Sequence, residues 1–99
     1  MDDITRAKVW IDAEEMWGED SQLGLTQEEC AELIQAISKL RRGIAGAHES
    51  IIEECADVEN VVSHIIHMLG IRSEVNQVKN AKLQRLRDRI DAIKAQEKE

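Results

Sequence analysis

Proline, phenylalanine and tyrosine are absent from the 99-residue sequence, and tryptophan occurs only twice. The apolar residues are instead mainly leucine, isoleucine, valine and alanine, a set that suits helices packed on helices. No apolar run approaches the roughly 20 residues that a helix needs to span a bilayer. The opening "MDDITRAKVW" has no signal-peptide pattern. We therefore expect an all-α cytoplasmic protein.

Basic residues are scarce: 13 lysines and arginines stand against 20 acids, and the net charge is −7. This balance argues against non-specific binding to nucleic acid or to an anionic membrane. The charge is uneven, because residues 1–60 sum to −10 and residues 61–99 to +3. The acidic part and the basic part could pair with each other, or could together hold metal and phosphate.

Cysteine is also rare, with only Cys30 and Cys55 in the chain. Their spacing does not match a zinc site. We interpret them as two small buried thiols of a cytoplasmic protein.

Apolar residues recur at helical spacing in four segments. The first segment is Asp3 to Trp17, followed by a loop over 18–25. The second helix is expected to begin at a Thr26–Glu29 capping box and the third at Ser50 with Glu53. They should end at Gly43 and near Leu69, and a fourth helix should begin at Ser73 and fray from Lys94. These segments predict one domain over 1–99, a compact bundle of three to four helices.

The expected apolar faces follow from the same spacing. They are Cys30, Leu33, Ile34, Ile37 and Leu40 on the second helix, Ile51, Cys55, Val58, Val62, Ile65, Ile66 and Leu69 on the third, and Val75, Val78, Leu83, Leu86, Ile90 and Ile93 on the fourth. The faces of the last two helices are broader than the core of a monomer needs. We therefore expect a homodimer, or a homotetramer made of two dimers.

Two similar acidic clusters stand out, "EECAE" at 28–32 and "EECAD" at 53–57. Carboxylates three or four residues apart on a helix are neighbours, and each such pair costs a few tenths of a kcal/mol. One interpretation is that these are solvated acids, which the helix macrodipole stabilises by about 0.3–1 kcal/mol each near an N-terminus. The other is a site for a hard divalent cation, Mg²⁺, Mn²⁺ or Ca²⁺.

Short loops favour an antiparallel hairpin of the second and third helices. Both acidic clusters lie in the first half of their own helix. We therefore expect them to meet only if the helices cross steeply or if an oligomer completes the site.

A di-iron carboxylate bundle is a rival interpretation, but it requires a Glu-x-x-His motif. The residues three before the three histidines are Ala45, Val61 and His64. Since none is a glutamate, this rival is rejected. His64 and His67 are expected to be partly buried or at a polar edge.

The pattern Glu28-Glu29-x-x-Glu32, 21 residues, then Glu54-x-x-Asp57 resembles that of the MazG-type all-α nucleoside triphosphate pyrophosphohydrolases. The stretch "WGEDSQLGLTQEECAELIQAISKLRRG" is similar to the region around the family's first motif. The segment "NAKLQRLRDRI" is similar to the basic segment of its last helix. The resemblance covers most of residues 17–90.

This resemblance implies Mg²⁺-dependent hydrolysis of a nucleoside triphosphate to the monophosphate and pyrophosphate, with Mn²⁺ as a substitute. The implied metal ligands are Glu29, Glu32, Glu54 and Asp57, and Glu28 is the implied general base. Lys82 and Arg85 would hold the leaving pyrophosphate. Further expected substrate contacts are Trp17, by stacking on the base, and Gln22, Lys39, Asn60 and Asn80.

Other functions remain open. Within the same superfold, a phosphoribosyl-ATP pyrophosphohydrolase or a dCTP- or dUTP-specific hydrolase is an alternative substrate assignment. A non-catalytic helical interaction module would need its acids only for solubility. No motif in the sequence encodes a preference for one nucleobase.

Overall fold

The structure is a computed structural model that describes residues 1–98, and the elements in this range are four α-helices. They are α1 (Asp3–Trp17), α2 (Glu19–Arg41), α3 (Ala47–Leu69) and α4 (Arg72–Glu97). The described part of the chain contains no strand, so the all-α prediction is confirmed.

The ends of α1 follow directly from its sequence. The Asp2 side chain accepts a hydrogen bond from the Thr5 amide at 2.7 Å, as an N-cap residue does. Gly18 follows the helix with φ at 88°, a backbone conformation that residues other than glycine rarely adopt. Its amide donates to the Glu14 carbonyl at 2.8 Å, and α2 begins at the next residue.

The predicted loop over 18–25 is therefore wrong, because these residues other than Gly18 belong to α2. Thr26 is an interior helical residue and not a cap. Its hydroxyl donates to the Gln22 carbonyl at 2.9 Å, the alternative bond that threonine forms inside a helix.

The end of α2 is where the sequence predicts it. The Ile44 amide donates to the Lys39 carbonyl at 3.1 Å across Gly43, whose φ is 69°. This is the Schellman arrangement, in which a left-handed glycine stops the helix and satisfies a terminal carbonyl.

The other two predicted caps are wrong. Ser50 lies inside α3, which begins at Ala47, and its hydroxyl donates to the Gly46 carbonyl at 3.2 Å. Ser73 is the second residue of α4, whose N-cap is Ile71 without a side-chain capping bond. The helix continues past Lys94 to Glu97, so the fraying expected there stays a prediction, and Glu99 lies outside the described residues.

Residues Met1–Leu69 form one compact unit of three helices. Within it α2 and α3 form the predicted hairpin and make most of the contacts between helices, while α1 contacts both. A second unit begins at Gly70 and contains α4. Whether the 99 residues act as a single domain stays a prediction.

The core of the first unit is small. Ala36, Ala47 and Ile66 are its buried apolar residues, and Gln22 and His64 are buried beside them. Several residues of the predicted apolar faces are exposed instead: Ile34, Ile37, Leu40, Cys55, Val62 and Leu69. The small side chain of Ala36 suits the close approach of two helices, whereas Ile34 is 69% exposed on the outside of the hairpin.

Most apolar side chains of α4 are exposed as well, with Leu83 at 63% and Leu86 at 51%. Val75 and Ile90 are half-buried. Among residues 1–98, no helix is both long and apolar enough to cross a membrane.

Candidate functional site

Four carboxylates converge on one edge of the α2–α3 hairpin. Glu29 and Glu32 come from α2, and Glu54 and Asp57 come from α3. One carboxylate oxygen from each can be chosen so that all four lie within 4.8 Å of one another. These are the four residues that the sequence proposes as metal ligands, and the structure brings them together.

The hairpin register explains why they meet. Glu32 lies 11 residues before Gly43 and Glu54 lies 11 residues after it. Glu29 and Asp57 lie 14 residues before and after the same glycine. Because both helices rise equally per residue, each pair reaches the same height in an antiparallel hairpin.

The expectation that the clusters meet only through a steep crossing or in an oligomer is therefore wrong. In an antiparallel hairpin, two residues lie side by side when they are equally far along the chain from the connecting loop, even if both lie in the first half of their own helix.

The two inner carboxylates each have a buried oxygen without a hydrogen-bond donor. These atoms are Glu29 Oε2 and Glu54 Oε2, while Glu32 and Asp57 lie on the exposed side of the group. A buried carboxylate oxygen without a donor is costly, since it has lost water without a replacement. A bound cation would supply the missing partner.

The electrostatics of the group point in the same direction. Burial raises the pKa of Glu29, and the negative charges of Glu32, Asp57 and Glu54 raise it further. Burial likewise raises the pKa of Glu54, with further contributions from Glu32 and Asp57. Four mutually repelling carboxylates therefore form a site of strong negative potential with oxygen ligands only, as Mg²⁺ and Ca²⁺ prefer.

Glu29→Gln is expected to raise the melting temperature of the metal-free protein near neutral pH. The gain should shrink as the pH falls toward 4.5, the ordinary pKa of the group. A carboxyl whose pKa is raised by folding destabilises the folded state when it ionises. The penalty is therefore absent below the ordinary pKa and complete above the folded-state pKa.

Thermal melts in a chelator across this pH range would check the expectation. Glu59→Gln is the matched control, because Glu59 is an exposed acid of α3 outside the cluster. A difference between Glu29→Gln and the wild type that stays constant with pH would contradict it.

The proposed base, Glu28, is exposed and lies outside the group of four, although it directly precedes Glu29 on α2. Asn60 follows Asp57 by three residues on α3 and is also exposed. Gln22 is buried, at 7% exposure, within the first unit. The roles assigned to these three residues stay predictions.

Trp17 lies at the end of α1 and is 64% exposed, so its indole is free to stack on a ligand. The remaining predicted contacts, Asn80, Lys82 and Arg85, are exposed residues of α4. They belong to the second unit, and their relation to the four carboxylates stays a prediction.

Lys39 lines a depression of about 310 Å³ that also contains Glu32 and Glu54. Gln35, Ala36 and Ser50 complete its lining. Neither Gln35 nor Ser50 was predicted to contact a ligand. Helical spacing could have indicated both, because Gln35 follows Glu32 by three residues and Ser50 precedes Glu54 by four.

A second polar cluster joins α1 to α3. His64 Nε2 lies 3.1 Å from Glu14 Oε2, and the Trp10 ring stacks on His64 with centroids 5.7 Å apart and planes 11° apart. Trp10 also contacts His67, with centroids 5.3 Å apart. Both histidines were expected to be partly buried or at a polar edge, and the structure buries His64 and exposes His67. Their contacts hold α1 against the hairpin.

No family model, curated protein or solved structure matches the chain. The resemblance to MazG-type hydrolases therefore stays a prediction from the motif residues.

Proposed function

We propose that the chain is a Mg²⁺-dependent nucleoside triphosphate pyrophosphohydrolase of the MazG type. One observation carries the proposal: four carboxylates from two helices converge within 4.8 Å, and two of their oxygens are buried without a donor. Solvated acids on a helix surface have no reason to converge, because each approach raises their repulsion. A divalent cation turns that repulsion into binding.

Glu29, Glu32, Glu54 and Asp57 would hold the cation by their oxygens. When bound, Mg²⁺ supplies charge neutralisation and polarisation of the α-phosphate. A water oxygen attacks the α-phosphorus, and the bond to the oxygen that bridges the α and β phosphates breaks. Pyrophosphate leaves with that oxygen and its electron pair. The proton of the attacking water would pass to Glu28. Glu28 precedes Glu32 by four residues on α2, so the two side chains are neighbours on the helix, which supports this role.

Titration of MgCl₂ into metal-free protein, followed by calorimetry, tests the metal site. We expect saturable binding by the wild type and by Glu59→Gln, and a large loss of binding in Glu32→Gln. An absence of Mg²⁺ binding by the wild type would favour the non-catalytic interaction module.

Activity requires a second measurement, because metal binding alone does not establish hydrolysis. A panel of ordinary, deoxy and oxidised triphosphates, together with phosphoribosyl-ATP, should be assayed for released pyrophosphate with Mg²⁺ and with Mn²⁺. We expect release from at least one triphosphate. The panel also separates the dCTP-, dUTP- and phosphoribosyl-ATP-specific alternatives.

The proposal includes assembly into a homodimer or a homotetramer of two dimers. Exposed apolar side chains support it, among them Ile34 on α2, Ile52 on α3 and Leu83 on α4, each more than half exposed. Burying such residues against a second copy stabilises an oligomer by roughly 25 cal/mol per Å² of apolar surface. Light scattering at micromolar concentration should give a multiple of the protomer mass, and a stable mass of 11.2 kDa would contradict the expectation.

A further inference from the structure

The depression beside the carboxylates extends along the α2–α3 hairpin, from the carboxylates toward the connecting loop. Its lining residues Lys39 and Ser50 lie between the carboxylates and the loop that joins α2 to α3, and Glu32 and Glu54 form its other end. A volume of about 310 Å³ is large enough to hold two phosphate groups. The depression opens directly onto the two carboxylates that it shares with the cluster.

The chemistry of the lining fits phosphate oxygens. Lys39 provides the only cation among the six lining residues. Gln35 provides an amide that donates two hydrogen bonds, and the Ser50 hydroxyl hydrogen can rotate from the Gly46 carbonyl toward a ligand. An ammonium and two neutral donors are the groups expected around a phosphate whose remaining charge is neutralised by metal.

We propose that Lys39, Ser50 and Gln35 form a subsite for the leaving pyrophosphate on the hairpin, at the loop side of the carboxylates. This contact is separate from the one expected of Lys82 and Arg85. The inference depends on the proposed function, because Glu32 and Glu54 would repel the anion without a bound cation. It also orients the substrate. With the β and γ phosphates toward the loop, the nucleoside lies on the other side of the carboxylates, where Asn60 follows Asp57.

The test measures pyrophosphate binding to the full-length protein in saturating Mg²⁺ by calorimetry. Lys39→Met is expected to weaken binding by about 10- to 100-fold, the usual effect of losing a hydrogen bond to a charged group. Ser50→Ala should weaken it by about 2- to 10-fold, since its hydrogen bond involves a neutral donor.

Arg41→Met is the matched control. Arg41 and Lys39 both lie in the last turn of α2, so both substitutions remove one positive charge from the same helix end. Arg41 lines a different depression, together with Ile34 and Ile37. It should therefore leave pyrophosphate affinity within about twofold of the wild type.

The outcomes separate this inference from the proposed function. Unchanged pyrophosphate affinity in Lys39→Met, with normal Mg²⁺ binding and turnover, overturns the subsite and leaves the hydrolase proposal intact. Equal weakening by Lys39→Met and Arg41→Met also overturns it, because a general charge effect would then suffice. If the wild type binds no Mg²⁺, both proposals fail.

Discussion

Glu32→Gln or Asp57→Asn is expected to abolish pyrophosphohydrolase activity and to leave the fold intact. Both side chains are exposed members of the carboxylate group, so an amide at either position has access to water. Each substitution keeps the shape of the side chain but removes a charged ligand. Since loss of even an outer partner of a metal ligand costs about 10- to 100-fold, we expect a loss of at least about 100-fold here.

Stability should change in the opposite direction. In the metal-free protein these carboxylates only repel one another, and their charges contribute to the raised pKa of Glu29. The melting temperature of either variant in a chelator should therefore equal or slightly exceed that of the wild type. The two readouts together distinguish a ligand from a residue that merely supports the fold.

Steady-state kinetics and thermal melts on both variants would test these expectations. Glu59→Gln is the control for the loss of one acid from α3. Turnover close to that of the wild type in either variant would show that the ligand assignment is wrong. A large fall in melting temperature would show instead that the acids are structural.

Arg85→Ala is expected to lower kcat/KM by about 10- to 150-fold while Mg²⁺ binding to the free protein stays almost unchanged. Lys82 and Arg85 lie three residues apart on α4, so their side chains project from the same face. Both are exposed. Loss of one charge-assisted contact to phosphate costs about 1.5–3 kcal/mol, which corresponds to that range.

The competing role for Arg85 is an ion pair with the acidic part of the chain. The salt bridges found among residues 1–98 are Arg6–Asp3, His64–Glu14 and Arg87–Asp91, and Arg85 is not part of any of them. A lowered melting temperature with a normal kcat/KM would favour that competing role and contradict the phosphate contact.

Arg87→Ala is the control for this experiment. Arg87 lies two residues beyond Arg85, on a different face of α4, and its guanidinium is 2.8 Å from Asp91. Both substitutions remove one arginine from the same helix. Only the change at Arg85 should affect kinetics if the face that it shares with Lys82 contacts the substrate.

The sequence by itself determined the helical class and several helix ends. Without proline in the chain, apolar residues at helical spacing can form long helices, and the glycines at 18, 43 and 70 mark their ends. These features are local, since they depend on residues within one or two turns. The acidic patches on single helices are local in the same sense.

Capping was less predictable. A serine or threonine hydroxyl can donate to a carbonyl four residues earlier or accept from an amide ahead of it, and the sequence pattern is similar in both cases. Thr26 and Ser50 form the first kind of bond. The choice between the two bonds depends on where the helix begins. A hydroxyl residue caps the helix only if the residues before it are not already helical.

Only the tertiary structure decided that the two acidic clusters share one site. Their meeting depends on the hairpin register, in which Glu32 pairs with Glu54 and Glu29 with Asp57 at equal distances from Gly43. It also depends on the rotation of each helix about its axis, which packing around residues such as Ala36 sets. The buried positions of Glu29 Oε2 and Glu54 Oε2 were likewise visible only in the folded structure, because sequence spacing does not say which atoms lose contact with water.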